Sequence, residues 1–420
     1  MPMVEGLAAR RAALQILDGV LRRGRTLDSA AQAAKGLKPA DHGLAVAIAG
    51  EVLRRIPDLD ALIDGATRQR LPDDSKARAV LRIALAQKVG LGTPEHALVA
   101  TALPLVDGGP RRLVHGVLGT LLRRGVPLMD APRLPEPVEQ RWREAWGDDV
   151  VAAARRLIAA RPPLDLTFAD DTEAQAFAGG TGGTSLAPNH VRLKDSGAIS
   201  DLPGFGEGGW WVQDLAASLP ARLMPSASSD VLDLCAAPGG KTMQLAAAGH
   251  RVTAVDQSES RLKRLRENLG RTGLEAKLIT ADALTWEPNR ALDAILLDAP
   301  CSATGTFRRH PEVLYRARPS IIRDGADLQR GLLARAAQWL KPGGTFVYSV
   351  CSLEPVEGEE IIGSFLKANP DFAVAPPQPG ELPDFVTSDE RGWVRILPGL
   401  LESEGGLDGF FVTRLVRTAT

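Results

Sequence analysis

Residues 231–256 read VLDLCAAPGGKTMQLAAAGHRVTAVD. An apolar run ending at Cys235 leads into a small-residue loop, the loop opens a helix, and a second apolar run ends on Asp256. Strand, glycine loop, helix and strand in that order predict a unit of parallel sheet. The glycines let backbone N–H groups approach a ligand at the carboxyl edge of such a sheet. Downstream the same rhythm returns with AKLITAD at 276–282, AILLDAP at 294–300 and GTFVYSV at 344–350. Together these runs predict a doubly wound α/β sheet. Two late β-like runs, WVRIL at 393–397 and GFFVTRLV at 409–416, are expected to pair and close it.

Upstream the period changes. Leu14, Leu17 and Leu21 recur at helical spacing, as do Val114, Val117, Leu118 and Leu121, so an all-helical bundle is expected up to about residue 125. Pro57, Pro72 and Pro94 are read as breaks between its helices. The proline-interrupted stretch 126–163 reads as a connection holding one helix around Val138–Ala160, and AGGTGGTS at 178–185 reads as a flexible loop. A chain of 420 residues with 44% apolar content is long enough for several cores. We divide it at 1–128, 129–225 and 226–420.

Nowhere does an uncharged apolar run reach membrane-spanning length, and Arg10 and Arg11 interrupt the first candidate leader, so a cytoplasmic protein without membrane contact is expected. Three cysteines without a CxxC pair point away from a disulfide framework and from a bound metal. The net charge of −1 conceals an asymmetry: residues 1–130 carry 19 Lys+Arg against 13 Asp+Glu, a balance of +6. A basic front end suits a polyanionic partner, although arginines also simply solvate helix faces.

The ending Gly240-Lys241-Thr242 and the strand before Asp298 resemble the two halves of a phosphate-binding NTPase site. GxxxxGKT, however, requires glycine where Cys235 stands, and Pro238 stiffens the loop. Asp256 ends the second strand, where a carboxylate can accept both ribose hydroxyls of an adenosine cofactor, and Asp282 ends the third, within reach of an adenine amino group. DAPCSATG at 298–305 and SVCS at 349–352 put Cys301 and Cys351 on the same rim. A lone cysteine is usually a small buried hydrophobe. These two fall beside an aspartate and the glycine loop, where side chains line a ligand site.

The strings VQDLAASLP at 212–220, DLCAAPGGKT at 233–242, DAPCSATG, RRHPEV at 308–313 and SVCSLEPVEGEE at 349–360 closely resemble the RsmB (Sun/Fmu) family of 16S ribosomal RNA cytosine-C5 methyltransferases, within the wider Sun group. The front helices, with ARRAALQIL at 9–17 and LVHGVLGTLLRR at 113–124, look like the NusB-type RNA-binding domain that precedes the catalytic part in that family. The resemblance implies a NusB-like bundle at 1–128, an RNA-contacting lead-in at 129–225 and a class I, Rossmann-like methyltransferase domain at 226–420. It further implies S-adenosylmethionine as methyl donor, ribosomal RNA as partner, with transfer RNA as the alternative, and a monomer.

Carried across residue by residue, the family makes Cys351 the nucleophile and Cys301 the group that resolves the covalent adduct; Asp298 is expected, from its place on the rim, to hydrogen-bond the base. The family's donor site would comprise Cys235, Ala236, Ala237, Pro238, Gly239, Gly240, Lys241, Asp256, Asp282 and Asp298. Such chemistry needs a thiolate, because carbon 5 of cytosine is too poor a nucleophile until a thiolate has added at carbon 6. Arg308, Arg309 and His310 are expected either to grip RNA phosphates beside a flipped base or simply to form a solvated loop. A non-catalytic RNA-binding scaffold is the competing reading, and retention of Cys301, Cys351 and Asp298 argues against it. Two departures stand out: Ala303 replaces the usual glycine of DAPCSGTG, and PLDLTFAD at 163–170 lacks the arginine and asparagine common there.

Overall fold

The computed structural model describes residues 5–127, 130–195, 197–225 and 229–418. The chain forms two compact units, Met1–Arg161 with Phe307–Ala317, and Pro162–Thr306 with Arg318–Thr420. The stretch expected as a separate lead-in, 129–225, is thus shared between them. Among the described residues no helix is long and apolar enough to cross a membrane.

The first unit is helical: α1 (Leu7–Leu21), α2 (Leu27–Ala30), α3 (Pro39–Gly65), α4 (Lys76–Gly90), α5 (Glu95–Ala102), α6 (Gly108–Arg124), α7 (Glu136–Trp146) and α8 (Asp148–Ala159). The apolar stripes of α1 to α6 meet in one core that includes Ile16, Leu17, Val52, Leu53, Leu81, Leu85, Val114 and Leu118. Each such side chain contributes roughly 1.5–3 kcal/mol by leaving water. Where one helix was expected around Val138–Ala160 there are two, separated by Gly147 at φ 84°.

Pro57 is the clearest correction. It lies inside α3 and does not break it. Having no N–H, it leaves the Leu53 carbonyl without its helical donor. The Tyr315 hydroxyl donates to that carbonyl at 2.8 Å, so the helix continues with the gap filled by the returning segment Phe307–Ala317. The same segment supplies Glu312, which accepts from the Leu27 N–H at 3.0 Å, and Phe307, whose ring meets Trp142 edge-on at 5.3 Å.

The second unit begins with β1 (Leu164–Phe168), α9 (Asp171–Thr181), β2 (His190–Leu193) and β3 (Trp210–Val212). The strands form a small antiparallel sheet in the order β2-β1-β3. The 178–185 stretch is less loop-like than its composition: α9 runs to Thr181, and Thr184 bridges to Arg192. There follow α10 (Leu215–Arg222), β4 (Asp230–Leu234), α11 (Gly240–Ala247), β5 (Arg251–Asp256), α12 (Glu259–Thr272), β6 (Lys277–Thr280) and β7 (Leu292–Asp298). After α13 (Val313–Arg316), in the returning segment, come α14 (Pro319–Ala337), β8 (Leu340–Val350), α15 (Glu359–Ala368), β9 (Phe372–Val374), β10 (Val394–Ile396) and β11 (Phe410–Arg417).

The large sheet has the order β10-β11-β8-β7-β4-β5-β6, with β9 paired to β11. β4 to β8 run parallel, while β11 is antiparallel to β8 and to β10. The two late runs therefore pair as expected. From β4 the chain winds outward through β5 and β6, then crosses to β7 on the other side of β4. That reversal opens a crevice at the carboxyl ends of β4 and β7, the usual ligand position of an open α/β sheet.

Candidate active site

The loop after β4 descends into the crevice through two residues with positive φ, Cys235 at 59° and Gly239 at 106°, flanking a cis Ala237–Pro238 bond. At Gly239 a Cβ would come within 2.0 Å of the Leu265 side chain, so only glycine fits between loop and α12. Asp256 is almost wholly buried. Its Oδ2 accepts from the Ala237 N–H at 3.2 Å and its Oδ1 from the Ser258 N–H at 2.9 Å. The carboxylate thus ties the β4 loop to the end of β5. Arg261 pairs with it at 3.3 Å and also bonds the Ala237 carbonyl.

A pocket beside this loop is walled by Val255, Ala283, Leu328 and Leu332, with Asp256 and Asp282 on its polar side. Asp282 is exposed and caps its own turn, accepting from the Leu284 N–H at 2.9 Å. Apolar walls for a flat purine and a carboxylate at a strand end for ribose hydroxyls fit an adenosine-bearing cofactor. Cys235 is unsuited to thiolate chemistry here. Burial, reinforced by the neighbouring carboxylates, pushes its thiol up to about 12.

Across the crevice, Asp298 ends β7. Lys241 Nζ lies 2.7 Å from its Oδ2, and the Ser349 hydroxyl donates to its Oδ1 at 2.9 Å. Lys241, expected only as part of the donor loop, therefore also fixes the aspartate. The two cysteines of the rim come together, with Cys301 Sγ 3.6 Å from Cys351 Sγ. The hydrogen bond with Cys351, together with burial, holds the Cys301 thiol well above its ordinary value. Cys301 thus keeps its proton.

Beneath the thiols lie groups that sequence reasoning missed. Ser302, Ser352, Thr304, Gln329 and Glu357 form a buried hydrogen-bonded cluster. Glu357 stands within SVCSLEPVEGEE, where a run of acidic residues reads as the start of a helix. Only its spacing from the serines after each cysteine carries a hint of more.

Of the three residues expected to grip phosphates, Arg308 is corrected. It lies in the returning segment of the helical unit and is 1% exposed, its carbonyl accepting from Arg54 at 2.8 Å. A guanidinium enclosed in this way cannot meet a phosphate. Arg309 and His310 are partly exposed.

Residues 220–416 match the family model described as 16S rRNA methyltransferase RsmB/F, and residues 7–123 match the NusB family. The Ribosomal RNA small subunit methyltransferase B of Erwinia tasmaniensis is 33% identical, over 96% of this chain and 97% of its own length. The protein of the same name from Vibrio cholerae is 33% identical over 96% of each chain. The chain belongs to the RsmB methyltransferase family. It is an RNA methyltransferase that takes its methyl group from S-adenosylmethionine, and its front unit is a NusB-type domain. A crystal structure of a methyltransferase homolog protein from Pyrococcus horikoshii is 27% identical, with a TM-score of 0.55 over 71% of this chain and 98% of that one.

Proposed function

We propose that the protein methylates carbon 5 of a cytosine in 16S ribosomal RNA through a covalent adduct between Cys351 and carbon 6. The observation that carries this reading is the pair of thiols 3.6 Å apart beside the Lys241–Asp298 pair. A single thiol would serve as nucleophile, whereas two in contact suit a reaction that must both form and resolve an adduct. The reaction needs a thiolate nucleophile, and Cys301, whose thiol is held well above its ordinary value, is the less suited of the two.

The Cys351 thiolate adds at carbon 6, and electron density moves to carbon 5. Asp298, oriented by Lys241 and Ser349, accepts from the exocyclic amine and so holds the base, while the Lys241 ammonium beside it counters the negative charge that develops. Bound S-adenosylmethionine supplies an electrophilic methyl group, with Asp256 and the loop Cys235–Lys241 holding its adenosine end. Loss of the carbon 5 proton to water lets the sulfur–carbon bond break and returns its electron pair to Cys351 Sγ, with Cys301 assisting release. The names of the Erwinia and Vibrio relatives support ribosomal RNA of the small subunit as substrate. The NusB-type unit would bind it through phosphates.

Both cysteine variants, incubated with RNA and methyl donor, test the roles on a denaturing gel. Cys351→Ala should neither methylate nor form an adduct, whereas Cys301→Ala should accumulate a persistent protein–RNA band. A band from Cys351→Ala, or none from an inactive Cys301→Ala, would reverse the assignment. Bisulfite sequencing of RNA from cells with and without the gene identifies the base and separates ribosomal from transfer RNA.

A further inference from the structure

Glu357 is fully buried, yet the reaction as proposed gives it no task. Its Oε1 accepts from the Ser302 N–H at 2.8 Å and from Gln329 Nε2 at 3.2 Å. Its Oε2 accepts from the Ser302 hydroxyl and, at 2.5 Å, from the Ser352 hydroxyl. Ser302 follows Cys301, and Ser352 follows Cys351. The carboxylate thus holds the residue next to each thiol, and the two serine hydroxyls also touch each other at 3.2 Å.

The anchoring extends outward. Ser352 Oγ accepts from the Glu354 N–H at 3.0 Å, Thr304 Oγ1 from the Leu353 N–H at 3.0 Å, and the Cys351 carbonyl from the Gly305 N–H at 3.0 Å. Gln329 ties the same carboxylate to the Pro300 carbonyl at 2.8 Å. The Ser302 N–H and the Gln329 amide can only donate to the carboxylate, whereas the two serine hydroxyls can donate or accept. Burial raises the Glu357 carboxyl, while the two serine hydroxyls pull it back.

We propose that Glu357 is a positioning residue that clamps the two cysteine loops through Ser302 and Ser352 and so sets the separation of the thiols. This rests on the covalent reading above. The reason to expect a kinetic effect is distance: a nucleophile displaced by a fraction of an ångström from its line of attack loses rate steeply.

The test uses the full chain, S-adenosylmethionine and a transcript of small-subunit ribosomal RNA. Glu357→Gln keeps the shape but replaces one accepting oxygen by an amide N–H₂, so either the Ser302 N–H and Gln329 lose their acceptor or both serine hydroxyls must turn round to accept. We expect kcat to fall by at least about tenfold, with the KM for RNA and the calorimetric Kd for the methyl donor unchanged. Full kcat in a folded Glu357→Gln, or a loss wholly in KM, overturns the clamp. Should that variant not fold, Ser302→Ala and Ser352→Ala decide: each should lower kcat alone, and full rate in both removes the proposal. Cys351→Ala runs alongside, and methylation by that variant would sink the covalent reading itself rather than the clamp.

Discussion

Asp233 illustrates how a single carboxyl can report on its surroundings. It lies in β4 with no exposure to water; the Thr242 hydroxyl donates to its Oδ2 at 2.5 Å, and its Oδ1 has no hydrogen-bond partner. Burial pushes it up to about 7, against an unfolded value of about 3.9. Between those values the folded chain holds a proton that the unfolded chain has released. The stability it contributes is therefore full below about pH 4 and lost as pH rises through 7. Asp233→Asn, which mimics the protonated form, should gain on the parent at pH 8 relative to pH 4 by up to about 4 kcal/mol. Urea unfolding at the two pH values checks this, and parallel profiles would clear Asp233 of the effect. Ala303 belongs to the same scale. Its φ of 57° explains why family members place glycine there, since a Cβ in the left-handed region costs about 1–2 kcal/mol.

At the scale of elements, the site depends on three chain segments converging where there is no room for a side chain. A Cβ on Gly305 would lie 1.9 Å from the Gly409 carbonyl oxygen. The Gly305 N–H bonds the Cys351 carbonyl, and the Gly409 N–H bonds the Gly305 carbonyl at 2.8 Å. The Cys301 loop, the Cys351 loop and the approach to β11 are thereby fastened together. Gly305→Ala should destabilise the protein by about 1–3 kcal/mol through overpacking and lower methylation more than it lowers donor binding. Thermal unfolding with donor calorimetry measures both, and a variant with unaltered stability and turnover would contradict this convergence. The strands that carry these loops were legible because buried parallel strands read as apolar runs. Their exact meeting was not, because the approach of residue 305 to residue 409 has no local signature.

The whole molecule brings a basic helical unit and a methyltransferase unit into one chain. On α6, Arg111, Arg112, Arg123 and Arg124 are exposed, which gives the +6 balance of the front end a surface to act from. We predict that Arg111→Glu/Arg112→Glu weakens RNA binding and makes it less sensitive to salt, the logarithmic slope falling by about 0.7 for each single-strand phosphate that is no longer neutralised. Methyl-donor affinity should not change. Filter binding over a salt series decides, and an unaltered slope would direct attention to another face. The helical unit is also not continuous in sequence. Glu312 and Tyr315 satisfy a helix N–H and a helix carbonyl that the front segment alone leaves open.

From the sequence alone came the alternation of strands and helices, the glycine loop, the strand-end aspartates and the rim position of both cysteines. These are local, since period and turn chemistry are written within a few residues of each element. Pro57 misled, because a proline reads as a break unless something distant takes up the carbonyl it abandons. Arg308 misled likewise, because charge in a loop reads as exposed until packing encloses it. Only the tertiary structure decided that Cys301 and Cys351 touch, that Lys241 belongs to Asp298, and that Glu357 lies under the serines after both thiols. Those facts depend on which strands became neighbours: β7 and β8 pair with Asp298 opposite Ser349, and that register brings together two loops fifty residues apart in the chain.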